Sequence, residues 1–497
     1  MSAYRTLETR FGRLGTLREA LAVLNWDFSS MMPTGGAAAR QAQLATLETL
    51  YHEQLTDPAI PDLIGEAEAA GGLDEWQSAN LAEMRREWRA ASVLPAALVE
   101  ARVAAGLDCE MAWRRARPDD DFAAVVPALQ RVLDLTREAA AAKASLLGIS
   151  SYDALLDTYE PGGRAAAIDV LFEEVARFLP GLIDRILERQ AAVPPPVDPP
   201  GPFPIAAQRA VAMRLMAQIG FDFDHGRLDT SLHPFCGGTP DDVRITTRYE
   251  EEDFGRALMG VLHETGHALY EQGLPAAWRR QPVGRARSFA VHESQSLLIE
   301  MQACRSREFA EFAAPILQEA FGGPAAAWDP DNLYRRNTIV ARSLIRVDAD
   351  EATYPLHVIL RYRLERAMLS GDLRLSDLPG AWREAMRDLV GIEPTDDRDG
   401  CLQDIHWYCG LWGYFPSYTL GALTAAQFFE AATRQDAGIR PGLTRGDFAP
   451  LLAWLRRHVH GRAASVPVAE IVVDATGRAL DTSAFQRHLE RRYGGLH

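Results

Sequence analysis

Apolar positions along this chain recur at intervals of three and four residues far more often than at alternate positions. The runs "LREALAVLNWDF" (17–28), "LQRVLDLTREAAAAKASLLG" (129–148) and "AIDVLFEEVARFLPGLIDRILERQAA" (167–192) each draw an apolar stripe down one side of a helix. They are rich in Ala, Leu, Arg and Glu, the residues that lose least on entering a helix. Glycine follows several such runs, as in "ASLLGIS" and "FQRHLERRYGG", where it predicts a helix C-terminal cap. Period-two alternation is scarce. "DVRITTRYE" (242–250) and "EIVVDATG" (470–477) are the best strand candidates, so the pattern predicts a mainly α protein with at most a small β-sheet. The one break in texture is "AAVPPPVDPPGPFP" (191–204), a stiff extended connector that suits a domain boundary or a surface crossing equally. No fixed-period repeat occurs.

One helical stretch carries chemistry. In "VLHETGHALYEQG" (261–273), His263 and His267 stand one turn apart, about 400° of rotation, and so face the same way. Two imidazoles on one face can hold a single tetrahedral zinc. Glu264 points about 100° away from His263, which suits a general base acting on a metal-bound water better than a ligand. A second helix, "FAVHESQSLLIEMQ" (289–302), carries His292, Glu293, Glu300 and Gln302 on a largely apolar run. Glu293 lies far enough beyond His267 for a turn and a return helix, and a buried carboxylate there needs a partner or a metal. His292 competes as ligand, because adjacent helical residues diverge and only one of the two can face the ion. The metzincin extension is absent, since Tyr270 and Gly273 occupy its glycine and histidine positions.

Composition narrows the partners. A net charge of −16 and pI near 5.3 over 497 residues exclude nucleic acid, which needs a concentrated cationic surface. The basic stretch "WRRQPVGRAR" (278–287) therefore reads as a solvated face. Five scattered cysteines with no CxxC pair suggest neither a disulfide framework nor a thiolate zinc site and fit a reducing cytoplasm. The first residues alternate charge with apolar side chains, unlike a secretory signal, and no stretch approaches 18 uninterrupted apolar residues, so no membrane span is expected.

Beyond the histidine motif, the chain resembles the M32 family of metallocarboxypeptidases, the carboxypeptidase Taq type. The resemblance rests on "HPF" (233–235), "DVRIT" (242–246), "HETGH" (263–267), "HESQS" (292–296), "IRVDAD" (345–350) and "GCLQDIHW" (400–407), in family order. "LNWDFSSMMPTGGAAARQAQLATL", "YDALLDTYEPG" and "FQRHLERRYG" extend it over essentially the whole chain. It implies a neurolysin-like helical saddle with a deep groove, a single domain over 1–497, a homodimer, and one divalent metal per subunit, Zn²⁺ or in some members Co²⁺. It implies stepwise removal of single C-terminal residues from peptides with broad specificity. By its motifs His263, His267 and Glu293 are the metal ligands and Glu264 the base.

Further roles are assigned from residue type and from the family's related peptidases. His406 and Tyr414 are candidates to stabilise the oxyanion, with Tyr418 competing. Arg244 and Arg346 are candidates to bind the substrate carboxylate, unless held in ion pairs with Asp242, Asp348 or Asp350. His233 is expected to line the groove. Asp350 is a candidate to orient a ligand histidine, because Leu297 fills the position four beyond Glu293 where some related peptidases place an Asp. The competing readings are an endo-acting or dipeptide-releasing oligopeptidase on the same fold and a non-catalytic peptide-binding protein.

Overall fold

The stripes read from the sequence fold as helices, and local signals set their limits. The structure, a computed structural model, describes residues 2–494. Helix α1 (Ala3–Ser30) is capped by Ser2, and α2 (Glu75–Ser92) by a reciprocal capping box of Asp74 and Gln77. Helices α3 (Ala96–Ala116) and α4 (Phe122–Leu147) form an antiparallel pair, and Gly148 ends α4 in the left-handed conformation (φ 66°) that the sequence predicted. Of the two glycines expected to close the final helix, Gly494 is its last residue and Gly495 lies outside the described residues.

Two large cores result. In one, α3, α4 and α5 (Ala165–Ala191) bury Val132, Phe172 and Leu179 against Leu356 and Trp382. The other gathers α6 (Ile205–Ile219) with Phe254, Leu269, Phe309 and Phe448. The proline-rich stretch runs from α5 to α6, hence from one core to the other. It is tied down on the way: Val197 donates to and accepts from the Asn332 side chain, at 2.7 and 2.8 Å.

A three-stranded sheet, β1 (Gly226–Thr230), β2 (Phe235–Thr239) and β3 (Asp242–Thr247), has the order β1-β3-β2, with β3 parallel to β1 and antiparallel to β2. Ile245 faces Leu228 and Cys236 in register. The strand expected at 242–250 is thus present to residue 247. The one expected at 470–477 is instead a helix, Val468–Thr476. Its β-branched residues favour a strand locally, but Ile471, Val472 and Ala475 share one helical face and bury it in the second core, so tertiary packing overrides propensity.

The sheet packs on α7 (Phe254–Gly273), whose side chains are buried around most of its circumference. Helix α8 (Phe289–Leu297), capped by Ser288, crosses α7 and continues as a π-helical turn, Leu298–Cys304. The groove is completed by α9 (Tyr354–Ser370), α10 (Pro416–Gln435) and α11 (Ser483–Gly494). Helix α10 places Leu420 and Leu423 in the first core and Phe428 and Phe429 in the second, so it ties the two together. No single helix among the described residues is long and apolar enough to cross a membrane.

The crossing of α7 on α8 leaves no room at Gly266. A Cβ there would stand 2.4 Å from the Gln295 carbonyl oxygen and 2.5 Å from Ser296 Cα. Gly266→Ala is therefore expected to cost about 1–3 kcal/mol of stability through overpacking. A lowered Tm would show it; an unchanged Tm would mean the crossing is not tight.

Candidate metal centre

A groove of about 1510 Å³ runs between the two cores, and α7 and α8 form part of its floor. Because His263 and His267 are one turn apart on α7, they face the groove together, and the α8 crossing brings Glu293 opposite them. His267 Nε2 lies 3.4 Å and His263 Nε2 3.9 Å from Glu293 Oε2, and one ligand atom from each of the three residues falls within 4.8 Å of the others. A tetrahedral ion with bonds of about 2.0–2.1 Å sets its donors about 3.3 Å apart, so this two-histidine, one-carboxylate set fits a catalytic zinc-type ion. The His267–Glu293 approach already matches that spacing, and the His263–Glu293 approach is somewhat longer.

The supporting contacts fix which nitrogen each ring offers. His267 Nδ1–H donates to the His292 carbonyl at 3.1 Å, and His263 Nδ1–H donates to Glu300 Oε2 at 3.1 Å, leaving both Nε2 atoms turned to the ion. Glu300 is in turn held by Arg305 Nε and Nη2 at 3.1 and 2.8 Å. It sits in the π-helical turn, two turns along from Glu293. The orienting role expected of Asp350 thus falls to Glu300. Asp350 instead accepts from the backbone N–H groups of Ala341, Ala352 and Thr353 and caps the approach to α9. His292 is not one of the three: its Nδ1 lies 2.6 Å from His267 Nδ1, behind that ring, and its Nε2 donates to Glu271 at 2.9 Å.

Burial and charge compete in this pocket. Burial alone lowers His263, but its bond to Glu300 and the charges of Glu293 and Glu264 outweigh that and lift it to about 10. Burial pushes His267 down to about 4. Burial would raise Glu293, yet the bond to His267 and the two imidazoles bring it down to about 2. Glu264 is buried between α7 and the groove, and burial raises it to about 7 against the opposing charge of His263.

The remaining predicted residues separate into those that reach the groove and those that do not. Tyr414 and Tyr418 line it, with Tyr354 beside them. His406 is buried one layer back, where its Nε2 lies 3.1 Å from the Tyr418 hydroxyl; burial holds it near 4, hence neutral. His233 stands exposed on the lip, in the turn between β1 and β2. Arg244 is not brought to the groove lining: it pairs with Asp242 at 2.6 Å, as one expectation allowed, and lies 4.6 Å above the Trp26 ring. Arg346 is at the wall but committed, its Nε and Nη2 on Asp404 at 3.0 and 2.7 Å and its Nη1 on the Tyr354 hydroxyl at 2.7 Å, with 6% of its side chain exposed. Its partner is none of the acids the sequence suggested. Asp404 also binds the fully buried Arg361. The stretch 278–287 is not a solvated face. It lines the groove wall, with Arg285 and Arg287 in ion pairs to Glu87 and Glu83 of α2.

Helix α11 closes the far side. Glu351, in the groove lining, accepts from His488 Nε2 at 2.6 Å and Arg492 Nη1 at 2.7 Å, and Arg492 Nη2 donates to the Met301 carbonyl of the π-helical turn. At the other end of α8, buried Glu160 accepts from the Ala290 N–H and from Ser417 Oγ of α10.

Residues 6–493 match the family described as carboxypeptidase Taq (M32) metallopeptidase. Thermostable carboxypeptidase 1 of Thermus thermophilus is 40% identical over 487 residues, covering 96% of this chain and 95% of that protein. Thermostable carboxypeptidase 1 of Pyrococcus furiosus is 33% identical over 495 residues, 97% of each. Among solved structures, Trypanosoma cruzi metallocarboxypeptidase 1 superposes with a TM-score of 0.97 at 41% identity over 99% of both chains. The M32 carboxypeptidase from Deinococcus radiodurans R1 gives 0.95 at 35% over the same shares.

Two outcomes test this geometry. Glu300→Gln removes the charge that orients His263 and is expected to weaken metal affinity roughly 10- to 100-fold, read by competition with a chelator; unchanged affinity would leave Glu300 without that role. Glu160 has an ordinary value of 4.5 that burial raises to about 7. Its contribution is complete below pH 4.5 and is lost as pH rises to 7, because the unfolded chain ionises first; the gap corresponds to about 3 kcal/mol. Glu160→Gln should therefore flatten the fall in stability between pH 4.5 and 7 in denaturation curves, and an unaltered slope would contradict it.

Proposed function

The chain belongs to the carboxypeptidase Taq (M32) family of metallopeptidases, and from that premise we propose how its residues divide the work. It is a metal-dependent carboxypeptidase, a hydrolase of peptides. In the proposed arrangement His263, His267 and Glu293 hold the ion, Zn²⁺ by the nitrogen and oxygen donor set, with Co²⁺ as the alternative. A divalent ion held there supplies Lewis acidity and an acidified water. Glu264 takes the proton of the attacking water and delivers it to the departing amine. Its buried place beside the ligands, on the groove side of α7, supports that role. The hydroxyls of Tyr418 and Tyr414 donate to the oxyanion, and neutral His406 holds Tyr418 in place from behind. Arg346 fixes Tyr354 through its bond to the phenol. Repeated cycles release single C-terminal residues from peptides of broad sequence.

The single observation that carries this reading is the His263, His267 and Glu293 cluster with Glu264 beside it in a groove of about 1510 Å³. Five free cysteines support a cytoplasmic enzyme. A homodimer is supported by an exposed row on α3: Val99, Val103, Leu107 and Met111 lie at four-residue intervals, and an antiparallel second copy centred on Ala105 sets Val99 opposite Met111, Val103 opposite Leu107 and Arg102 opposite Asp108.

The test is a mass-spectrometric time course on an unstructured peptide, with chelator and with added Zn²⁺ or Co²⁺. A metal-dependent ladder losing one residue at a time from the C-terminus is expected, and Glu264→Gln should slow it by roughly 10²- to 10⁴-fold while keeping the ion. Internal cuts or dipeptide losses would move the reading to an oligopeptidase. A fully active Glu264→Gln would remove the assigned base.

A further inference from the structure

A carboxypeptidase must hold a carboxylate, and Arg244 and Arg346 are both engaged in ion pairs. The other groove arginines show the same commitment. Arg279, Arg280, Arg285 and Arg287 pair with Asp241, Glu19, Glu87 and Glu83, and the rest of those lining the groove are paired likewise, with one exception. Among the described residues that line the groove, Arg18 alone carries a guanidinium with no carboxylate within ion-pair distance. It is exposed, on the groove side of α1.

Its placement is not loose. One turn earlier, Gly15 is pressed on the 278–287 stretch so closely that a Cβ would meet the Arg280 carbonyl oxygen at 2.4 Å. That contact fixes α1 against the loop and sets Arg18 beside Arg285, whose charge lowers the Arg18 pKa. Arg285 already occupies Glu87, and Glu271, which holds His292 next to the ligand His267, lies near without closing an ion pair. Of these two neighbouring guanidinium groups only Arg285 has an ion-paired carboxylate, in the wall of a groove that also holds the metal ligands. Both guanidinium groups line the groove, so an arriving anion meets the free Arg18 fork with the charge of Arg285 behind it. On a chain of net charge −16, this uncompensated cation marks one spot in the groove for an anionic ligand.

We propose that Arg18, backed by Arg285, is the receptor for a carboxylate of the peptide substrate. The inference rests on the carboxypeptidase reading above. The carboxylate is either the free C-terminus or the side chain of an acidic residue, and both offer the same planar acceptor to the guanidinium fork.

The experiment uses zinc-loaded enzyme and three substrates: an N-acylated neutral tripeptide, its C-terminal amide, and the same tripeptide with glutamate before the scissile bond. Arg18→Gln is expected to raise KM for the carboxylate-bearing ligand roughly 10- to 100-fold, the loss of one charge-assisted hydrogen-bonded contact, with part recovered in Arg18→Lys. Arg18 makes no ion pair, so metal content and Tm should stay at wild-type values. If the preference for acid over amide shrinks by the same factor, the site reads the C-terminus. If only the glutamate peptide suffers, it reads the side chain. Arg280→Gln removes a charge from the same wall and should change KM by no more than about threefold; an effect equal to that of Arg18→Gln would trace the loss to the general field and overturn the proposal. So would Arg18→Gln kinetics within about threefold of wild type on all three substrates. A wild-type enzyme that releases no single residues would instead overturn the carboxypeptidase reading, before any variant is compared.

Discussion

The close crossing of α7 and α8 at Gly266 is the constraint on which the rest depends. Histidines one turn apart are common on helices and bind nothing by themselves. They become a metal centre because the backbone of the second helix passes within contact of the first, which leaves Glu293 at 3.4 Å from His267. The same approach places the His292 carbonyl where it accepts from His267 Nδ1 and brings the π-helical turn round so that Glu300 reaches His263. A side chain at residue 266 would separate the two helices and disturb all three contacts together.

Charge is organised outward from that crossing. The ligand carboxylate, the base and Glu300 lie together: Glu300 is held by Arg305 and Glu293 by the imidazoles, while buried Glu264 has only the charge of His263 to oppose its burial. Further along the wall the pattern repeats with arginine and glutamate from α2 and the 278–287 stretch. Asp404 between Arg346 and Arg361 does the same beneath the tyrosines. Against this near-complete pairing, one guanidinium without an ion pair among the described groove-lining residues is informative in a way that it would not be on an open surface.

Much of this was legible in the sequence because it is periodic. Helix content, the cap at Gly148, the HExxH spacing and the Glu293 return depend on residues close in the chain or on a rule that fixes their facing. The misreadings share a different cause. "EIVVDATG" has strand propensity but a helical burial pattern that only the second core reveals. Glu300 was visible as a residue on the return helix, two turns from Glu293 on the same face, yet its hydrogen bond crosses between helices. Arg346 was a candidate for the substrate carboxylate unless paired with Asp242, Asp348 or Asp350, and it pairs with Asp404 instead. The 278–287 stretch reads as solvated because its acidic partners lie on α2, some two hundred residues earlier in the chain. Arg18 carried no signal at all, since its significance is the absence of a partner.

The latch from α11 has a consequence for biosynthesis. His488 and Arg492 reach back to Glu351 in the groove and to the backbone of the π-helical turn. During translation the HExxH helix and Glu293 emerge long before α11 does. Until α11 is made, the Glu351 carboxylate lacks both cationic partners and the groove wall is unfinished. Completion of that wall is thereby tied to a helix that follows Glu351 by more than a hundred residues.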